Sequence, residues 1–240
     1  MNKKVANRSV MHSILMDYKT NKPIEYIDYA NVVTTEMGGE TVYAYGGDQH
    51  AKRVAFRGEP SSSLKIETQI KPFKLYEIML GGTASSSAVL VKREVLTSTG
   101  PASFKITLSE TPASSAYLNV FKVADDCGTA LTVTVADKVV TLPASETAVG
   151  QYVAYYMYTK TGAKVSALKV SNTSIPKLLR YQGKTINIAE NGTVEDMYIT
   201  YFKLTPKGDM SINFSNTGDP MTMTLEFEML VNEAGDCWEM

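Results

Sequence analysis

Apolar and polar residues alternate strictly along two stretches that set the pattern of the chain. Over residues 63–71, Leu64, Ile66, Thr68 and Ile70 fall on one side, and Lys65, Glu67, Gln69 and Lys71 on the other. Over residues 221–231, Met221, Met223, Leu225, Phe227, Met229 and Val231 share one side, and Thr222, Thr224, Glu226, Glu228 and Leu230 the other. Period two marks a strand with one buried face. At roughly 3.3 Å per residue the second stretch spans about 35 Å, long for a single strand. Only one helix is predicted. Phe73, Tyr76 and Leu80, with Leu75 and Met79, follow helical spacing after Pro72 and stop at Gly81-Gly82. Proline is tolerated in a first helical turn because its missing N–H has no partner there anyway, and glycine takes the left-handed cap.

Elsewhere the chain reads as short strands between turn signals. Residues 11–17, 24–33, 41–45, 54–57 and 88–96 are candidate strands, with a break at Gly38-Gly39 and turns at Asn21-Lys22-Pro23, Gly46-Gly47-Asp48 and residues 58–61. Over residues 97–161 serine, threonine and alanine rise, and strands of five to nine residues follow one another closely. The clearest are LTVTV (131–135) and QYVAYYMYT (151–159). Beyond them come residues 165–170, 177–181, 185–188, 195–204 and 211–214, with an Asn191-Gly192 pair that favours a tight hairpin. Frequent short strands point to a mainly β fold, a sandwich or barrel with one flanking helix. The organisation predicted is a core built from residues 1–96 and 162–240, with 97–161 as a β-rich insertion.

Composition narrows the functional classes. With 240 residues and 44% hydrophobic content the chain can bury a core. It has no apolar run of 18 residues for a membrane span and no hydrophobic stretch behind its basic start for a signal peptide, so cytoplasmic synthesis is expected. The net charge of −1 hides an asymmetry, for residues 190–240 carry many acids and only Lys203 and Lys207 as bases. A protein that grips nucleic acid needs the reverse. Cys127 and Cys237 are far apart in sequence and are expected to be reduced.

Candidate chemistry is sparse. His12 and His50 have no metal-ligand partner at helical or strand spacing, and the two cysteines stand alone. No Gly-x-Ser-x-Gly elbow accompanies Asp48-Gln49-His50, and no lysine follows Gly46-Gly47 at phosphate-loop spacing. Glu226 and Glu228 lie two apart on one face, but among threonines they read as a solvated or lumenal face, not a paired-carboxylate site. The expectation is a protein without enzymatic activity, cofactor or metal. Tyr152, Tyr155, Tyr156 and Tyr158 read first as core and cross-strand packing, and second as a ligand platform.

The run AYGGDQHAKRVAFRGEPSSSLKIETQIKPFKLYEIMLGG (44–82) resembles the N-terminal half of bacteriophage major tail tube proteins. The shared features are the Phe56-Arg57-Gly58 turn, the alternating strand and the short helix. The close, NFSNTGDPMTMTLEFEML, resembles their last strand, and the middle is similar to the β-rich segment of larger tube proteins from phages of Gram-positive hosts. The resemblance implies a β-sandwich or barrel subunit that forms stacked homohexameric rings. Neighbouring sheets would join into a cylinder around a bore for duplex DNA. It also implies the partners of a virion tail: a tape measure protein, baseplate and tail terminator proteins, and a sheath protein where the tail is contractile. The tail would be assembled in the host cytoplasm. Four strands per subunit at about 4.8 Å and a tilt near 40° give a backbone cylinder roughly 45–50 Å across and a bore of about 40 Å.

Under that resemblance Thr222, Thr224, Glu226 and Glu228 are the first candidates to face the bore, and Lys65, Glu67, Gln69 and Lys71 the alternative. Residues 97–161 would sit on the outside, and exposed Cys127 and Cys237 would offer cross-links between neighbours. Two other readings stand beside it. One is a carbohydrate-binding or adhesion module using the tyrosine strand. The other is the tube of a contractile injection system, which carries effectors instead of DNA.

Overall fold

The computed structural model describes all residues except 1–3, 8, 47–49, 101–102, 209, 213–215 and 217, and leaves the side chains of residues 40, 57, 59 and 60 undescribed. The chain forms two compact units, one from Met1–Thr83 with Leu168–Met240 and the other from Ala84–Ala167. It is mainly β, with a single α-helix among the described residues, and its sheets are open, as in a β-sandwich.

The first half of the larger unit contributes β1 (Val5–Asn7), β2 (His12–Asp17), β3 (Pro23–Ile27), β4 (Val32–Gly46), β5 (Ala51–Thr68) and α1 (Phe73–Leu80). The smaller unit holds β7 (Ser87–Thr97), β8 (Lys105–Thr107), β9 (Asn119–Lys122), β10 (Thr134–Ala136), β11 (Val139–Thr141) and β12 (Gln151–Thr161). Two three-residue strands, β6 (Thr83–Ser85) and β13 (Ala167–Lys169), lie where the chain passes from unit to unit. The second half of the larger unit adds β14 (Leu179–Ala189), β15 (Val194–Pro206), β16 (Met223–Leu230) and β17 (Trp238–Glu239). Its sheet runs β3-β2-β14-β15-β16-β5-β4, with β1 added to β14 and β17 to β15.

Several elements differ from the sequence pattern. β4 and β5 run straight through Gly38-Gly39 and residues 58–61, so the predicted break and turn are absent and one long hairpin replaces three short strands. Pro60 is accommodated opposite Gly39, next to a register shift between Gly39 and Thr41. A proline survives in a strand where the ladder is already interrupted and one edge is free. β5 ends at Thr68, so Ile70 is exposed instead of buried, and Gln69 and Lys71 lie past the strand. β16 is shorter than predicted, leaving Met221 and Thr222 outside it. Residues 177–181 and 185–188 form one continuous strand through Gly183. The strand predicted over 211–214 does not form at 211–212, and 213–214 lie outside the described residues, as does most of the Gly46-Gly47-Asp48 turn.

The helix is where the spacing placed it, but its buried stripe is Leu75, Ile78 and Met79. Tyr76 and Leu80 pack against that core from half-buried positions, and Phe73 is half-buried beside Tyr76. Gly81 caps the helix at φ 63°, where a Cβ would lie 2.5 Å from the backbone of Ile175 and Pro176. Around the helix the sheet buries Leu15, Ile27, Leu64, Ile66, Tyr181, Tyr201, Leu225 and Phe227. Tyr181 and Tyr201 stack at 5.3 Å between ring centres. The Tyr181 hydroxyl bonds Ser13 at 2.9 Å and that of Tyr201 bonds Thr35 at 2.5 Å, which ties β4 to β15. Burial pushes both phenols up from their ordinary pKa. Tyr201→Phe leaves the half-buried Thr35 hydroxyl without this partner, and equilibrium urea unfolding should show a loss of about 1 kcal/mol.

The smaller unit packs the sheets β7-β12-β9 and β10-β11-β8 over its own core of Phe104, Ile106, Leu108, Val120, Val140, Tyr152 and Tyr156. The predicted 97–161 stretch lies within it. The unit begins earlier because β7 pairs with β12 along eleven consecutive positions.

Candidate assembly arm and open sheet face

The long hairpin outgrows the sheet that supports it. β16 pairs with β5 only from Ser63 to Thr68. Beyond that, among the described residues, Met37–Gly46 of β4 and Ala51–Ser62 of β5 have only each other as strand partners. Ten residues at about 3.3 Å make an arm of roughly 33 Å. Its register sets Val42 opposite Phe56 and Ala44 opposite Val54 on one face. Val42, Phe56 and Val54 are 55%, 57% and 51% exposed. On the other face Lys52 lies over the Tyr43 ring at 4.0 Å, and Tyr45 is exposed near the tip. A lone two-stranded hairpin is marginal in water, and an apolar stripe along one is a surface that gains by being covered.

The core sheet buries one face and leaves the other open. On β16, Met223, Leu225, Phe227 and Met229 are buried, while Thr224 and Glu228 are exposed and Glu226 is half-buried. Lys65 stands directly opposite Glu226, Glu67 opposite Thr224, and Ser63 opposite Glu228. The two candidate bore-facing sets therefore belong to one surface, as far as each lies on a strand. Lys65 and Glu67 share it with Thr224, Glu226 and Glu228, whereas Thr222, Gln69 and Lys71 fall beyond the strand ends. The surface continues through Thr34 and Glu36 of β4, Thr205 of β15, and Arg180 and Lys184 of β14.

Its charges are mixed. Glu226 lies 3.2 Å from Lys207 and 3.9 Å from Lys65. Asp196 pairs with Lys184 at 2.8 Å, and outside this face Glu190 lies 3.9 Å from Lys4. Glu190, Asp196 and Glu226, three of the acids concentrated in residues 190–240, are thus paired in space with lysines from both halves of the chain. Between Leu179 and Tyr181 the ladder to β15 shifts register, so Phe202 and Lys203 together face Arg180. Such a bulge turns both of its residues to one side, and Arg180 lies over the Phe202 ring at 5.2 Å while Lys203 lies over Tyr18 at 5.3 Å.

In the smaller unit the tyrosine strand splits between its two faces. Tyr152 and Tyr156 are in the core and Tyr158 packs against it. Tyr155 alone faces the other way, accepting from Arg93 Nε at 3.0 Å and from the Cys127 thiol at 3.4 Å, beside an Arg93–Asp126 ion pair at 2.6 Å. Arg93 holds the Asp126 carboxyl below the usual carboxylate range. Cys127 is exposed with φ 62°, Cys237 is half-buried, and both thiols are free. Among the described residues no group of histidine, cysteine, aspartate and glutamate side chains is arranged to hold a metal ion.

The YomU/Tube protein family matches residues 8–240. The chain belongs to that family. No curated protein matches it. Membership in the tube family over nearly the whole chain bears out the resemblance to phage tail tube proteins and fits a structural component of a virion tail. Among the described residues no helix is long and apolar enough to cross a membrane. Sequence reasoning missed the arm because Gly38-Gly39 read as a break and Gly58-Glu59-Pro60 as a turn. The available signal was Val42, Ala44, Val54 and Phe56, apolar residues alternating between those two points.

Proposed function

We propose that this tube-family chain is a tail tube subunit that acts by self-assembly and not by catalysis. Copies join into stacked hexameric rings, and duplex DNA passes through the bore to the host. The observation that carries this reading is the arm, a roughly 33 Å ribbon whose apolar face is more than half exposed at Val42, Val54 and Phe56. Joining sheets across subunits removes edges that β4 and β3 leave open in a single copy. The open sheet face lines the bore, and the tube ends meet the tape measure, baseplate and terminator proteins. A sheath surrounds the tube if the tail is contractile. The glycan-platform reading draws little support from the tyrosine strand, of which only Tyr155 faces away from the core.

Electron microscopy of the purified protein, with mass by light scattering, tests the assembly. Rings or hollow tubes with a bore of about 40 Å are expected. A monodisperse monomer at every concentration, with and without a preformed tube end as seed, would overturn the reading.

A further inference from the structure

Five cations stand on the open face of the core sheet among the described residues, and each lies against a neutralising or covering group. Lys65 and Lys207 flank Glu226, and Lys184 pairs with Asp196. Arg180 lies over Phe202, and Lys203 over Tyr18. The pairs are partly exposed, and pairs of that kind contribute little to stability. What they change is the surface offered to a polyanion. A lysine free of partners gains by displacing counterions from a phosphate backbone, whereas one already beside a carboxylate has its charge cancelled at close range.

We infer that Glu226 is the residue that keeps this face from adhering to duplex nucleic acid. Its one carboxylate stands between two lysines at once, Lys65 of β5 and Lys207 just past the end of β15, and cancels one of their two charges. Its own backbone is fixed by the Lys207 N–H donating to the Glu226 carbonyl at 2.8 Å. Glu228 lies two residues on, on the same face, and has no lysine at ion-pair distance among the described residues. Between these two glutamates masking is therefore set by position, separate from net charge. The inference rests on the reading of this face as the bore lining, and it names the duplex phosphate backbone as what the face must not hold.

The test is fluorescence anisotropy of a labelled DNA duplex with the full-length protein, as subunit and in whatever assembly it forms, over a range of salt. Glu226→Gln should raise affinity by about tenfold or more at low salt. The logarithmic salt dependence should steepen by about one, since one lysine charge is freed for phosphate. Glu228→Gln, which removes the same charge without freeing a lysine, should leave binding near the parent level. Adding Lys65→Gln and Lys207→Gln to Glu226→Gln should abolish the gain. Equal gains at 226 and 228, or no gain at either, would overturn the masking role. Because the comparison is also read on the single subunit, it fails or succeeds separately from tube formation, which microscopy reports.

Discussion

Replacing Val42 and Phe56 together by lysine is expected to abolish self-assembly while the chain stays folded. The two residues face each other across the arm and are more than half exposed, so neither holds up a core. Full burial of such side chains is worth roughly 1.5–3 kcal/mol each, and the charges that replace them resist being covered. A loss of about 3 kcal/mol per contact weakens association by more than about a hundredfold. In a polymer with repeated contacts that is the difference between tubes and monomers. Sedimentation velocity should show only the single subunit, and thermal unfolding should move by no more than about 2 °C, as for an ordinary surface change. Tubes of normal length from this variant would show that the arm is not an assembly element.

The largest stability effect is expected from Phe227→Ala. Phe227 is fully buried between Leu64 of β5 and Pro206 of β15, in the strand that joins the two halves of the core sheet. Removing a buried phenylalanine costs about 3–5 kcal/mol, since the space it leaves closes only in part. With roughly 5–15 kcal/mol available to a whole domain, that lowers its unfolding temperature by about 10 °C or more. The two units have separate cores, so calorimetry should show the larger unit's transition shifted and the smaller unit's unchanged. A common shift of both would mean that the units unfold as one.

Strand periodicity was legible wherever one face meets a core. Leu64 and Ile66, like the odd-numbered residues from Met223 to Met229, are buried as their alternation required. Pro72 and Gly81 likewise bounded the helix correctly, because their backbone constraints are local. The buried stripe of that helix was misjudged, since in eight residues the choice between Phe73 and Ile78 depends on which side meets the sheet. The arm was hidden because glycine and proline signal turns only when no neighbouring strand holds them extended. The character of the open face was also out of reach. The sequence separates Lys65 from Glu226 by the whole smaller unit, and only the pairing of β5 with β16 shows that Glu226 of the expected acidic lining has a lysine beside it.

The position of β16 governs how the protein can be made. It is the seam between β5, encoded before the smaller unit, and β15, encoded after it. On the ribosome the β4–β5 hairpin and its helix must therefore wait, with Leu64, Ile66 and Met79 unshielded, until Met223–Leu230 has emerged. The smaller unit lies within a single uninterrupted segment and is complete long before that. Long-range closure of this kind is slow and exposes sticky intermediates. The arm consequently appears before the fold that positions it, and a chain stalled short of β16 presents an adhesive ribbon without a finished subunit behind it.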